Sequence, residues 1–254
     1  MELLLGFVIA ALIAMTGVGA GTITAPLLIL FLHVPVAIAV GTSLAFSAAV
    51  KLVVVPVQMW RHKVEWRTLG LMLVTGVPGV VVGTIFFQRA VHFDADKFWL
   101  YLALGGMIAF SSAWHIFRHF RPAVLNEDRQ PRPRWLATAM LPVGMEVGFS
   151  SSGAGALGTI ALLSLTRLET ATVVGTDLAF GLCLSLIGGG LHLAGGGLDA
   201  ALLIKLIGGG LIGALAGTIL ASHIPARTMR LALSLWLFTI GVQLCWQAAA
   251  LAGS

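Results

Sequence analysis

Four ionisable side chains lie inside apolar stretches of the sequence, and they are its first candidates for chemistry. They are Lys51, Glu146, Asp177 and Lys205. A charged group in apolar surroundings is unfavourable, so its default explanation is function or pairing with an opposite charge. Lys51 is the candidate for binding an anion, with snorkelling or pairing as the alternative. Lys205 is nearer the start of its stretch, where we expect it to snorkel.

The two carboxylates are candidates for carrying protons. Glu146 immediately precedes a glycine-rich segment and is the favoured proton carrier. Asp177 has three open roles, which are pairing with a lysine, binding a proton and capping the start of its own helix. Burial of an unpaired carboxylate is unfavourable, so either group must be protonated, paired or shielded.

Two glycine-rich breaks interrupt apolar stretches that are each about 30 residues long, whereas one membrane crossing needs ~20 residues. They are Gly17-Val18-Gly19-Ala20-Gly21 and Ser151-Ser152-Gly153-Ala154-Gly155. Glycine destabilises a helix interior by ~1 kcal/mol relative to alanine, and broken backbone inside a membrane needs protein or water partners. Paired discontinuous helices indicate a transporter's binding site, where half-helix N-termini favour an anion. Close helix packing is the alternative.

Hydroxyl groups extend this predicted site. Thr42-Ser43 and Thr176-Asp177 each follow a glycine near the start of an apolar span. These side chains either cap helices or face the other half's glycine break and bind an oxyanion, and both alternatives remain open. The predicted binding set is Gly19, Ala20, Gly21, Thr42, Ser43, Lys51, Ser152, Gly153, Ala154, Gly155, Thr176 and Asp177.

The composition assigns these residues to a membrane protein. Apolar residues make up 58 % of the chain and charged residues 10 %, whereas soluble domains average about 25 % charged. The pI near 9.9 does not indicate nucleic acid, because the basic residues lie in short loops between apolar segments. No phosphate-binding GxxxxGK[ST] motif and no metal-ligand spacing occur, so we expect no ATPase, cofactor or metal site.

The expected architecture is an all-α polytopic membrane protein with eight apolar segments. These are 3–32, 36–59, 67–87, 98–118, 135–166, 170–193, 199–221 and 228–250, with polar loops such as 88–97 between them. The pairs Gly79/Gly83 and Gly213/Gly217 have GxxxG spacing on ordinary spans, where close helix packing is the expectation.

The chain repeats itself with a shift of 134 positions, from Gly19 to Ile85 without a gap. Val40–Phe46 falls on Val174–Phe180, and Glu65 falls on Asp199. The predicted domains are an N-terminal membrane repeat (1–117), a cytoplasmic linker (118–134) and a C-terminal membrane repeat (135–254). Repeated halves are typical of secondary transporters.

Charge predicts that the halves are inverted. If each opening segment (3–32 and 135–166) enters the membrane and returns, eleven loop lysines and arginines lie on one side and only Arg89 and Lys97 on the other. If each opening segment crosses once, the split is eight to five. The positive-inside rule favours the first arrangement, with both termini outside and the linker in the cytoplasm.

These motifs resemble the TauE/SafE family of sulfite-exporter-like membrane proteins. The resemblance rests on the first glycine break, Ala39–Ala45, the loop ending Val64–Arg67, and in the second half Gly148–Gly153, Val174–Asp177 and Gly190–Leu193. It covers nearly the whole chain apart from the linker. It implies transport of sulfur oxyanions or organosulfonates across the bacterial inner membrane without ATP hydrolysis. The expected partners are this small anion and the lipid bilayer, and a homodimer remains open.

Three other functions are alternatives to a secondary transporter. A passive anion channel would show neither counterflow nor proton dependence. An intramembrane hydrolase would use Ser150–Ser152 with His192, although no GxSxG motif is present. A membrane scaffold that transports nothing would not explain why charged residues lie inside the apolar spans.

Overall fold

The computed structural model describes residues 2–16, 20–92, 97–120, 132–152, 155, 157–220 and 226–252. These residues form ten helices and no strand, so the all-α prediction is confirmed for the described chain. The helices are α1 (Glu2–Thr16), α2 (Ala20–Leu32), α3 (Val36–Trp60), α4 (Trp66–His92), α5 (Lys97–Phe120), α6 (Pro133–Ser150), α7 (Leu157–Leu165), α8 (Thr170–Ala194), α9 (Ala200–Leu220) and α10 (Ala226–Ala252).

Six of these helices are long and apolar enough to cross a membrane, namely α3, α4, α5, α8, α9 and α10. The chain is therefore polytopic, as its hydropathy predicts. The expected loop 88–97 is wrong at both ends, because α4 continues to His92 and α5 begins at Lys97. No proline or glycine interrupts 88–92, so the helix extends through the polar residues. Within the predicted linker (118–134), α5 reaches Phe120 and α6 begins at Pro133, and residues 121–131 lie outside the described chain.

Each opening segment consists of two shorter helices, α1 with α2 and α6 with α7. In the second pair, the Arg132 N–H before α6 donates to the Leu165 carbonyl at the end of α7, 3.0 Å away. The segment therefore enters the bundle and returns to the end from which it started. In the first pair, Glu2 forms an ion pair with Lys205 near the start of α9 (2.8 Å). The start of α3, which follows α2, contacts the loop before α9 through Gly41.

Both opening segments thus return, which leaves three candidate spans in each half. An odd number of crossings is what the inverted arrangement requires. The repeat itself and its inverted orientation stay predictions.

The first helix of each opening segment packs on the opposite half, whereas α2 packs mainly on α3 and α7 on α6 and α8. α6 packs on α4 and α1 packs on α9, while α3 packs on α8 and α5 on α10. A Cβ atom at Gly83 would collide with the backbone oxygen of Met145, and one at Gly217 would collide with that of Ala11. These glycines therefore serve close helix packing, as their GxxxG spacing predicts.

The contacts between halves occur in matched pairs. The Asp199 N–H donates to Thr42 Oγ1 (3.2 Å), and the Glu65 N–H donates to Thr176 Oγ1 (3.0 Å). The two contacts are equivalent under the 134-residue shift, because Thr42 corresponds to Thr176 and Glu65 corresponds to Asp199. The pair Lys51 and Ser185, which differ by the same 134 positions, contact each other directly between α3 and α8.

Candidate functional site

A buried polar stripe on α3 forms the centre of the candidate site. Ser43, Ser47 and Lys51 lie at positions i, i+4 and i+8 of one continuous helix, which places them along one face. All three are buried. With a rise of 1.5 Å per residue, the stripe extends about 12 Å along the helix.

Lys51 is the buried cation of this stripe. Its side chain is only 4 % exposed, so it does not snorkel to a membrane surface. Its ammonium donates to Ser185 Oγ on α8 at 3.3 Å, and Ser185 also contacts Ser47 Oγ at 3.2 Å. An ammonium has three donors, yet within the described chain no carboxylate lies within 4.0 Å of this one. Lys51 therefore has hydrogen-bonding capacity and charge available for a ligand.

The tips of the two opening segments meet at the Ser43 end of the stripe. Ser43 Oγ lies 2.6 Å from Ser151 Oγ and 2.9 Å from the Val40 carbonyl. Ser151 ends α6 with a left-handed backbone (φ 63°). Gly21, in the first turn of α2, packs so tightly on Ser151 that a Cβ atom would overlap its carbonyl oxygen. At their described residues, the two glycine breaks therefore lie in contact.

Asp177 lies beyond the Lys51 end of the stripe. It is on α8, two turns before Ser185 and on the same helix face. Its Oδ2 accepts a hydrogen bond from Thr159 Oγ1 at 2.7 Å, and Oδ1 lies against Gly158 without a hydrogen-bond partner among the described residues. The backbone N–H groups of Gly155 and Thr159 also interact with the carboxylate. Asp177 therefore caps the first turn of α7, and the expectation that it caps its own helix is wrong. Helix α8 starts seven residues earlier, at Thr170.

Glu146 lies on α6, one turn before the second break. Its Oε1 is buried without a hydrogen-bond partner among the described residues. The neighbouring Ser152 side chain interacts with the carboxyl, and Ser152 Oγ has no partner that satisfies hydrogen-bond geometry. Ser150 Oγ instead contacts its own helix, at 2.9 Å from the Glu146 carbonyl. Two unsatisfied polar atoms thus lie side by side at this tip.

Other predicted residues lie outside this cluster or outside the described chain. The hydroxyls of Thr42 and Thr176 accept backbone N–H groups from the loops that precede α9 and α4, which is a structural use. Gly21 and Gly155 are at the breaks, whereas the structure does not describe Gly19, Gly153 and Ala154, or the side chain of Ala20.

His192 has a different neighbourhood from the one a hydrolase needs. Its Nε2 donates to the Gly148 carbonyl at 3.1 Å, and its ring packs edge-on against Phe87. Within the described chain, none of the hydroxyls of Ser150, Ser151 and Ser152 bonds to this imidazole. The described contacts therefore contain no serine–histidine pair for nucleophilic catalysis.

Sequence reasoning missed Ser47 on α3 and Ser185 on α8. Their hydroxyls contact each other, and Ser185 also accepts a hydrogen bond from the Lys51 ammonium. Ser47 could have been found, because its spacing from Ser43 and Lys51 places it on their face. Ser185 is the residue that corresponds to Lys51 after the 134-residue shift. A comparison of Lys51 with its counterpart would have paired them.

Comparison with known proteins agrees with this architecture. The sequence model of a protein family described as "Sulfite exporter TauE/SafE" matches residues 2–244. The chain belongs to the TauE/SafE family. The protein named "Probable membrane transporter protein YjnA" of Bacillus subtilis (strain 168) is 30 % identical over 240 residues, covering 89 % of each chain. A second protein of that organism, "Probable membrane transporter protein YdhB", is 26 % identical over 239 residues, with 92 % of this chain and 94 % of its own covered.

No solved structure matches this TauE/SafE chain. Family membership and six candidate spans make it a multi-pass membrane protein from a family of membrane transporters.

Proposed function

We propose that this protein is a secondary transporter that moves a small sulfur-containing oxyanion or organosulfonate across the cytoplasmic membrane. One observation carries the proposal, namely that the Lys51 ammonium is buried at the end of the stripe away from Ser43 and has a single hydroxyl partner among the described residues. A buried cation without a bound counter-ion is unfavourable, and an anion supplies both charge and acceptors.

The predicted anion position is the region bounded by Lys51, Ser43 and the first turn of α2. The ammonium and the hydroxyls donate hydrogen bonds, and the N-terminus of α2 adds its positive dipole end. An oxyanion with several equivalent oxygens accepts from such donors in more than one direction. The family's description as sulfite exporters supports the sulfur chemistry.

Glu146 is the proposed coupling group. Its carboxyl is buried next to Ser152, and an ionised carboxylate close to a bound anion would repel it. A proton on Glu146 removes that repulsion. Movement of proton and anion together then transfers less net charge through the membrane.

A thermal-shift screen of purified protein tests anion binding. The ligands are sulfite, sulfate, thiosulfate and sulfoacetate, with simple carboxylates as the comparison. A ligand at about 100 times its dissociation constant should stabilise the protein by ~2.7 kcal/mol. Stabilisation by none of the sulfur anions would refute the proposed substrate class, and stabilisation by carboxylates alone would redirect it.

A further inference from the structure

We propose that Asp177 is a built-in anion, whose carboxylate occupies the second-half counterpart of the substrate site. Each chain then binds one anion although its two halves offer two related positions. This inference rests on the proposed function, since it presupposes that the position near Ser43 binds a free anion.

The surroundings of Asp177 are those of a bound anion. Its carboxylate lies at the first turn of α7, which is nine residues long. Thr159 Oγ1 donates to it at 2.7 Å, and the backbone N–H groups of Gly155 and Thr159 face it. A Cβ atom at Gly158 would overlap Oδ1, so a glycine is needed there to admit the carboxylate. A helix N-terminus with adjacent hydroxyl and N–H donors is an established way to bind negative charge.

The corresponding position in the first half keeps one glycine and lacks the charge, and Thr24 and Ala25 stand there in place of Gly158 and Thr159. A shift of 134 positions takes Asp177 to Ser43 and Gly155 to Gly21. Gly21 lies in the first turn of α2, and Ser43 Oγ is 2.6 Å from Ser151 Oγ. At this end a neutral hydroxyl stands where the other end has a carboxylate.

Two further observations indicate a ligand at the Ser43 end. Lys51 lies two turns from Ser43 on the same helix face, is 4 % exposed and has one hydroxyl partner in the described part of the chain. Ser152, next to Ser151, is fully buried beside the Glu146 carboxyl, and its hydroxyl has no partner of good hydrogen-bond geometry among the described residues. The available donors therefore lie at the Ser43 end, where the nearby carboxyl, that of Glu146, is the proposed proton carrier.

Electrostatics connects the two positions through Lys51. Asp177 lies eight residues from Ser185 on α8, about 12 Å along the helix, and its charge acts on the Lys51 ammonium. In the empty protein this carboxylate partly balances the lysine. A substrate anion at the Ser43 end approaches the same lysine from the opposite side, so only one mobile anion is needed.

Equilibrium dialysis with radiolabelled thiosulfate and, separately, sulfate tests the inference through the number of anions bound per chain. The variants exchange the two equivalent residues: Asp177→Ser, Ser43→Asp and the double variant. Wild type should bind one anion, Asp177→Ser two, and the double variant one. Ser43→Asp should bind at least about 100-fold more weakly, because like charges repel in a buried site. Ser43→Asn, of similar size and without charge, is its control.

The outcomes separate this inference from the proposed function. No binding of either anion to wild type would refute anion transport itself. One anion bound to both wild type and folded Asp177→Ser would overturn the built-in anion and leave transport standing. Equal losses in Ser43→Asp and Ser43→Asn would assign the effect to size and also overturn it. If Asp177→Ser does not give a monodisperse protein, the Ser43→Asp and Ser43→Asn pair decides.

Discussion

Replacement of Lys51 by methionine should weaken anion binding without destabilising the empty protein. Methionine keeps most of the aliphatic volume of the side chain and removes the ammonium. The ammonium has one hydroxyl partner, Ser185, at 3.3 Å, and no carboxylate within 4.0 Å among the described residues. Its removal therefore eliminates a poorly compensated buried charge.

The magnitude follows from the interaction lost. A hydrogen bond to a charged group contributes about 1.5–3 kcal/mol, which corresponds to a loss of about 10- to 150-fold in affinity. Lys51→Arg keeps the charge in a larger, planar group and should retain part of the affinity. The melting temperature of empty Lys51→Met should be close to that of wild type, because removal of the buried ammonium offsets the loss of the charge that partly balances Asp177.

The assay is titration of the purified protein with the anion that stabilises wild type most, followed by thermal unfolding without ligand. Lys205→Met is the matched control, since Lys205 is an exposed lysine of a spanning helix that pairs with Glu2. Its affinity should stay within about twofold of wild type. An unchanged dissociation constant in Lys51→Met would refute the binding role. Equal losses of affinity and stability would show that Lys51 is structural.

Three further predictions concern coupling, packing and orientation. Flux in liposomes should rise as pH falls, and Glu146→Gln should flatten this dependence while anion exchange survives; an unchanged pH profile would exclude coupling through this group. Gly83→Ala should destabilise the protein by about 1–3 kcal/mol because its Cβ would collide with α6. Its control, Gly106→Ala, has nothing within 4 Å of the added carbon and should be neutral or stabilising by up to ~1 kcal/mol. Equal effects of the two substitutions would contradict the packing. Externally added thiol reagent should label a cysteine at Ser254 and not one at Asn126, and the reverse pattern would invert the assigned orientation.

The membrane architecture could be predicted from sequence because its signals are local. Long apolar runs mark the spans, and glycine clusters mark the two places where an overlong run divides into two helices. Lys51 was recognisable for the same reason, as a charge in an apolar run. Its depth depended on whether α3 stays continuous, which the structure shows despite Pro56.

The details of the site depend on contacts between distant segments, which local patterns do not contain. Asp177 caps α7 rather than its own helix, because α8 packs beside the first turn of α7. Thr42 and Thr176 bond to loop amides of the opposite half. Serine is common in membrane helices, so Ser185 acquires meaning only when α3 and α8 are seen to cross at Lys51.

Counterflow in proteoliposomes tests the central claim, carrier-mediated anion transport through Lys51, most directly. Vesicles loaded with unlabelled anion are diluted into a trace of the same anion carrying a radiolabel. Wild-type protein should accumulate label transiently above its equilibrium level, in a saturable manner, and Lys51→Met should not. Equal counterflow by Lys51→Met would contradict the role of Lys51. Rapid, non-saturable equilibration without accumulation by wild type would show a channel rather than a carrier.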